Sequence, residues 1–242
     1  MESRALIVGA GEIGKSMFSV LDGKFDVHIR DKDSGPTGQF NYLHVCIPYS
    51  EEFLSEVERY DYEYSPKIIV IHSTVPLGTI RKLGDKAVHV PIRGKHPNLA
   101  ESIRKFRLYV GGNNRDYVTE IADMFRQVVD DVYMIDTTYP PETTELLKIM
   151  CTTYYGWNIL FEKEMYRLCN ELGVPYEVVY TDLNRTYNLG YTKAGMGQFT
   201  RPVLDHMPGP IGGHCVSNNC RLFPDSYITK LILEKDEEFK NE

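Results

Sequence analysis

The 242 residues carry 27 Lys and Arg against 34 Asp and Glu, a formal net charge of −7, with 42% hydrophobic and 25% charged residues. A chain of this make-up can bury a sizeable core as one large or two modest domains, and its acidic balance argues against a nucleic-acid partner, which needs a basic face. No apolar run reaches membrane-spanning length and the N-terminus lacks the pattern of a secretory signal, so no membrane association and a cytoplasmic setting are expected.

The chain opens with a strand-like run over residues 4–8. Gly9-Ala-Gly11-Glu12-Ile13-Gly14 follows at once, then a helical pattern in which Ile13, Met17, Phe18 and Leu21 share a face. A second strand over 25–29 leads to Asp31. Strand, glycine turn, helix and strand, with an acid at the second strand's end, is the pattern of a dinucleotide site. The first glycine makes the tight turn, the second lets a pyrophosphate approach, and the third lets helix and strand pack. The helix N-terminus then faces the phosphates with its partial positive charge. Gly9, Gly11, Glu12, Ile13 and Gly14 are therefore the candidate phosphate-binding turn, and Asp31 the acceptor for a ribose diol. A carboxylate there repels a 2′-phosphate and favours NAD over NADP, while Arg30 and Lys32 beside it pull the other way.

Further strands are expected over 42–47, closed by Pro48, and over 67–72, 87–90, 108–110 and 132–135, with helices over 51–60 and 114–129. The run 67–72 is apolar almost throughout, as suits a strand buried on both faces. It leads into Ser73-Thr74-Val-Pro76, at the strand end where open α/β sheets bind ligands. Pro48 and Ser73 are candidate cofactor contacts there. The alternation predicts an α/β fold, a doubly wound parallel Rossmann-type sheet. Arg93, Lys95 and His96 form a cationic loop near the same edge, either a surface charge cluster or a clamp for an anionic substrate.

From Asp136 the pattern turns helical. Thr138-Tyr-Pro-Pro-Glu142 starts a helix with prolines in its first turn, and only Gly156 interrupts it before Gly173-Val-Pro175. A shorter helix is expected over 176–184, and the glycine-rich stretch 187–199 has no clear period. A last helix is expected over 221–233, before a frayed or exposed charged tail. The layout is thus a dinucleotide-binding domain over 1–137, a smaller all-helical domain built on the long helix over 138–233, and a tail over 234–242. Within the second domain, His206-Met-Pro-Gly-Pro-Ile-Gly-Gly-His-Cys215 packs three glycines and two prolines ahead of a cysteine. Such a loop presents either a nucleophile, if its surroundings lower the thiol's pKa, or a space-filling residue. Five cysteines at irregular spacing indicate neither a disulfide framework nor a metal site.

Taken in order, these motifs resemble the UDP-glucose/GDP-mannose (nucleotide-sugar) 6-dehydrogenase family, which oxidises the C6 alcohol of a nucleotide sugar to a carboxylate using NAD twice. Gly9-Ala-Gly-Glu-Ile-Gly14 and Asp31 match its dinucleotide site. Ser73-Thr-Val-Pro-Leu-Gly78-Thr79 resembles its Ser-Thr-Val-Pro-Pro-Gly-Thr segment, and Glu145-Leu-Leu-Lys148 the start of its central helix. Pro208-Gly-Pro-Ile-Gly-Gly-His-Cys215 resembles the cysteine loop of its UDP-N-acetylmannosamine dehydrogenase branch with one residue missing. The similarity runs over most of the chain.

The resemblance implies that Cys215 attacks the aldehyde formed by a first oxidation, that Lys148 stabilises the oxyanion, and that Thr74 positions the hydrolytic water. It implies Gly212, Gly213 and His214 at the substrate, a small anionic molecule, and a homodimer formed through the long helix. Four departures stand beside it. Thr152 replaces an asparagine one turn beyond the lysine, and Asn219 replaces an aspartate four residues beyond the cysteine. Residues 90–97 are basic where the family is acidic, and the family's third, nucleotide-gripping C-terminal domain is expected to be absent. Three functions stay open: an NAD-dependent oxidoreductase for an alcohol or aldehyde of a small anionic or sugar-nucleotide-like substrate, a single-step β-hydroxyacid-type dehydrogenase using Lys148, and a catalytically decayed dinucleotide-binding protein or partner subunit.

Overall fold

The apolar runs of the N-terminal half can be buried on both faces, and they assemble into one sheet. The computed structural model of the chain describes residues 4–32, 35–94, 97–212 and 214–240. Its strands are β1 (Arg4–Val8), β2 (Asp26–Arg30), β3 (Tyr42–Val45), β4 (Ile68–Ile71), β5 (Ala87–His89), β6 (Leu108–Gly112) and β7 (Val132–Met134). They lie in the order β2-β1-β3-β4-β5-β6-β7. Helices α1 (Glu12–Leu21), α2 (Phe53–Tyr64), α3 (Thr79–Leu83), α4 (Leu99–Lys105) and α5 (Arg115–Phe125) connect them.

Alternation along β1 sorts the core into two layers. Ala5 and Ile7 face Met17 and Leu21 of α1, Ile103 of α4 and Phe125 of α5, whereas Leu6 and Val8 face Phe53 and Val57 of α2 and Ile80 of α3. The sheet is parallel except between β5 and β6, which pair antiparallel, so it is mostly rather than wholly parallel. The expected helices over 51–60 and 114–129 appear shifted, as α2 and α5, while α3 and α4 lie where no helix was expected.

Three histidines sit inside this sheet with almost no exposed surface: His44 on β3, His72 just past β4 and His89 on β5. His44 Nδ1 lies 2.9 Å from His72 Nε2, and His72 Nδ1 lies 2.9 Å from the Val90 carbonyl oxygen. His89 bridges Thr144 Oγ1 at 2.9 Å and the Ser73 carbonyl oxygen at 3.2 Å. Burial disfavours the charged ring, pushing His72 down to about 4 and His89 down to about 3. His44 falls well below the ordinary histidine range, by burial and by the neighbouring His72. Its Nε2 has no hydrogen-bond partner among the described residues.

The chain divides into two compact units, Met1–Lys148 and Ile149–Glu242. The boundary falls inside the long helix α6 (Glu142–Leu172), not at 137/138, because the first turns of α6 bond into the sheet unit through Thr144, Glu145 and Lys148. In the second unit, a π-helical stretch, Glu177–Asp182, runs into α7 (Leu183–Lys193), so helix continues into the region that showed no period. A 3-10 turn, Gly197–Phe199, follows, then α8 (His214–Arg221) and α9 (Tyr227–Phe239). The expected helix over 221–233 and frayed tail over 234–242 are both corrected by α9. Thr229, Ile232, Asp236 and Phe239 recur at helical spacing and are all buried. Ile232 and Phe239 pack with Leu160, Ile211, Val216 and Cys220 as this unit's core. Among the described residues no helix is long and apolar enough to cross a membrane.

Candidate functional site

β1 lies between β2 and β3, where the winding reverses and an open α/β sheet leaves a crevice beyond its strands' C-terminal ends. The glycine turn after β1 opens at that point. Gly9 has φ +98°, and a Cβ on it would lie 2.7 Å from the Cys46 carbonyl oxygen. A Cβ on Gly14 would lie 1.8 Å from the Gly9 carbonyl oxygen. Gly11 differs: the space where its Cβ would stand is open, and as the N-cap of α1 it contributes no side-chain cap. A helix N-terminus beside such a glycine suits a pyrophosphate. Glu12 is exposed and Ile13 is half-buried in the first turn of α1, and Asp31 is exposed just beyond β2. These residues fit a dinucleotide.

Arg30, whose charge opposed the NAD preference in the sequence, is otherwise engaged. Its guanidinium is held by Glu63 and Tyr64 of α2 and lies over the Tyr60 and Tyr64 rings, 5.3 and 5.5 Å from their centroids. Strand alternation sends Arg30 to the α2 face and Asp31 to the opposite one.

Pro48 is exposed beyond β3. Ser73 is buried and its hydroxyl donates to the Ile47 carbonyl, joining the segments that follow β3 and β4. Thr74 is half-buried beside it. The same segment is anchored again four residues on. Glu145, with no exposed surface, accepts from the Gly78 N–H at 2.6 Å and the Ile80 N–H at 2.7 Å. Burial pushes the Glu145 carboxyl up, against the Ile80 and Gly78 N–H groups that pull it down. Arg81 forks onto Glu142 at 2.7 and 2.8 Å. One turn further along α6, half-buried Lys148 donates to the Ile92 carbonyl at 2.7 Å. Ser73, Glu145 and Lys148 are thus fixed around the C-terminal ends of β4 and β5, with Thr74 next to Ser73 in the chain, and an ammonium held on a rigid helix is suited to stabilising an oxyanion.

Arg93 donates to the Arg107 carbonyl at 2.7 Å and lies 5.0 Å over the Tyr109 ring. Lys95 and His96, the other members of the expected anion clamp, lie outside the described residues.

In the second unit, Cys215 is exposed in the first turn of α8, so the cysteine segment ends as a helix start instead of a loop. Gly212 precedes it with open space where a Cβ would stand. Gly213 and the His214 side chain lie outside the described residues. Asn219, one turn beyond the cysteine, is buried and donates through Nδ2 to Thr152 Oγ1 of α6 at 3.0 Å. The two side chains in which this chain departs from the resembled pattern are therefore each other's partners. All five cysteines are free. Burial pushes the Cys46 and Cys220 thiols up. Among the described residues no three His, Cys, Asp or Glu side chains are grouped to hold a metal ion.

Two positions that anchor the candidate site's segments escaped sequence reasoning. Glu145 was visible only as part of a motif, because the N–H groups it holds lie 67 and 65 residues away. Asp236, which bonds Ile211 and Ser217 around the cysteine, lay in the supposed tail. A period of buried positions beneath the tail's charges was the available signal.

No family model matches the chain. By sequence it is similar to a UDP-N-acetyl-D-mannosamine dehydrogenase of Methanococcus vannielii, 26% identical over 157 residues, which are 62% of this chain and 33% of that protein. The chain thus spans about a third of the length of the curated relatives it matches. In structure it is similar to a UDP-D-ManNAc dehydrogenase from Pyrococcus horikoshii, with a TM-score of 0.80 at 17% identity over 98% of this chain and 68% of that one. A UDP-N-acetyl-mannosamine dehydrogenase from Staphylococcus aureus gives a TM-score of 0.69 at 18% identity with the same coverage. The chain is a divergent relative of the nucleotide-sugar dehydrogenases. The structural likenesses establish the Rossmann-type fold followed by helices, and on that frame the glycine turn precedes α1, Lys148 lies on α6 and Cys215 lies in the first turn of α8.

Proposed function

We propose that this chain is an NAD-dependent oxidoreductase acting on an alcohol or aldehyde of a small anionic or sugar-nucleotide-like substrate. The observation that carries the reading is the glycine turn at the sheet's reversal point, with Gly9 and Gly14 closed to side chains and Gly11 open at the start of α1. Bound NAD would supply the hydride acceptor. The chain's own residues would do the rest. The N–H groups of α1 hold the pyrophosphate, and Asp31 accepts from the ribose diol. Arg30, tied to Glu63 and Tyr64, leaves Asp31 to reject a 2′-phosphate. NADH is therefore expected to bind more tightly than NADPH, and equal affinities in calorimetry would remove the assignment of Asp31.

In this reading Lys148 stabilises the alkoxide or tetrahedral oxyanion of the substrate and Thr74 orders the water. The Cys215 thiolate adds to the aldehyde carbon, giving a thiohemiacetal whose loss of hydride leaves a thioester for hydrolysis. The pairing of Asn219 with Thr152 favours a second reading, a single hydride transfer assisted by Lys148, because an amide at position 219 cannot take a proton from water. Supplying NAD with nucleotide sugars and hydroxy acids and counting NADH per substrate separates the two. Two NADH, abolished in Cys215→Ser, supports the thioester route, whereas one NADH with Cys215→Ser unaffected supports the single step. Tight NADH binding without turnover on either panel favours a dinucleotide-binding protein or partner subunit.

The proposed assembly is a homodimer through α6. Tyr154, Tyr155, Trp157 and Phe161 stand 41–64% exposed on that helix, a concentration of aromatic surface that a monomer seldom leaves in water.

A further inference from the structure

The cysteine segment is held from below by buried charges that belong to no motif in the sequence. On α6, Lys163 is buried and donates to the carbonyls of Met207 and Gly209, the latter at 2.7 Å. Its neighbour Glu162, also buried, accepts from His206 Nδ1 at 2.9 Å. On α9, Asp236 is 3% exposed and uses both carboxylate oxygens: Oδ1 accepts from the Ile211 N–H and Oδ2 from the Ser217 hydroxyl, each at 2.7 Å. Ile211 lies four residues before Cys215 and Ser217 two residues after it, so one carboxylate grips the chain on both sides of the thiol.

A buried carboxylate is costly unless strong hydrogen bonds offset its desolvation, and these two supply that compensation only in one arrangement of the segment. Ile211 and Val216 add apolar contacts to the same unit core. Cys215 itself is exposed and could rotate with α8 if that helix were loosely attached. We propose that Asp236 is a positioning residue, fixing the direction in which the start of α8 presents the Cys215 thiol. The inference rests on the reading of Cys215 as a substrate-facing thiol and gives α9 a part in it.

Three variants of the 242-residue chain test the proposal: Asp236→Ala, Asp236→Asn and Ser217→Ala. Each is read by amide hydrogen exchange over residues 207–217 and by the rate at which iodoacetamide alkylates Cys215, resolved by peptide mass. Asp236→Ala is expected to raise exchange at Ile211 by about tenfold and to change Cys215 alkylation by at least about threefold, with NADH affinity unchanged. Asp236→Asn can still accept from Ile211 and meet Ser217, and it restores wild-type alkylation. Ser217→Ala, which removes one bond, gives a smaller change in the same direction.

Wild-type exchange and alkylation in a folded Asp236→Ala protein would overturn the proposal. If that variant does not fold, unchanged alkylation in Ser217→Ala overturns it instead. Where the wild type turns over, Asp236→Ala lowers kcat and leaves KM for NAD in place. A wild type with no turnover sinks the dehydrogenase reading, yet the exchange and alkylation results still decide the role of Asp236.

Discussion

A carboxylate with no exposed surface persists at position 145 because two backbone N–H groups are aimed at it. Removing it in Glu145→Ala leaves both donors buried and unpaired, an expected loss of about 2–5 kcal/mol in urea denaturation. Glu145→Gln keeps an acceptor and should lose about 1–2 kcal/mol, and a loss below that in the alanine variant would show that the two bonds hold nothing. Gly11 and Gly14 offer a cleaner separation of fold from function. Gly14→Ala forces a methyl onto the Gly9 carbonyl and should destabilise the protein. Gly11→Ala meets open space at φ −71°, so its melting temperature should stay put while NADH binding weakens by about tenfold or more. Unchanged NADH affinity in Gly11→Ala would count against the phosphate site.

The buried histidines act on stability through pH. In the unfolded chain each takes a proton near the ordinary value of about 6.5, whereas in the fold His72 and His89 do so only near about 4 and about 3. Below that ordinary value the unfolded state therefore binds more protons, and stability falls as pH falls, by up to about 1.4 kcal/mol per pH unit per histidine. The urea midpoint followed by circular dichroism should drop between pH 7 and pH 5, and a flat midpoint over that range contradicts the assignment.

At the scale of elements, α9 carries the largest difference between sequence and structure. Its run Glu234-Lys-Asp-Glu-Glu reads as solvated charge, yet Asp236 is buried by its bonds and Phe239 by its packing. Composition hid the helical period, since a buried carboxylate is recognisable only through partners distant in the chain. Phe239→Ala should cost about 3–5 kcal/mol, a cost a frayed tail could not show. Strands β1 to β4 were legible because alternation and apolar runs are local properties. The reversed direction of β6 was not, because strand direction is set by pairing in the fold and leaves no local pattern in the sequence.

For the whole molecule, the order of motifs carried the fold: a glycine turn between strands, then a long helix starting near Pro141. The candidate site was legible residue by residue at Gly9 to Gly14, Asp31 and Lys148, where the residue type itself suggests the chemistry. It was less so where residues act as a pair, as with Asn219 and Thr152, which are bonded in the structure but which sequence presents as two separate losses. Association belongs to this scale too. Light scattering should find a dimer, and Trp157→Glu with Phe161→Glu should shift it to monomer. A monomeric wild type at tens of micromolar would remove the assignment of α6 as the pairing face.

The histidine row in the sheet has a direction. The Val90 carbonyl can only accept, so His72 carries its proton on Nδ1, and its Nε2 must then accept from His44 Nδ1–H. That leaves His44 Nε2 as a bare lone pair, which accounts for the unpartnered atom there. Both rings are thus locked as the same Nδ1–H tautomer, and the vacancy for an added proton lies at the His44 end. Nitrogen chemical shifts should report two Nδ1–H imidazoles at neutral pH, and two Nε2–H rings would contradict this direction of the row.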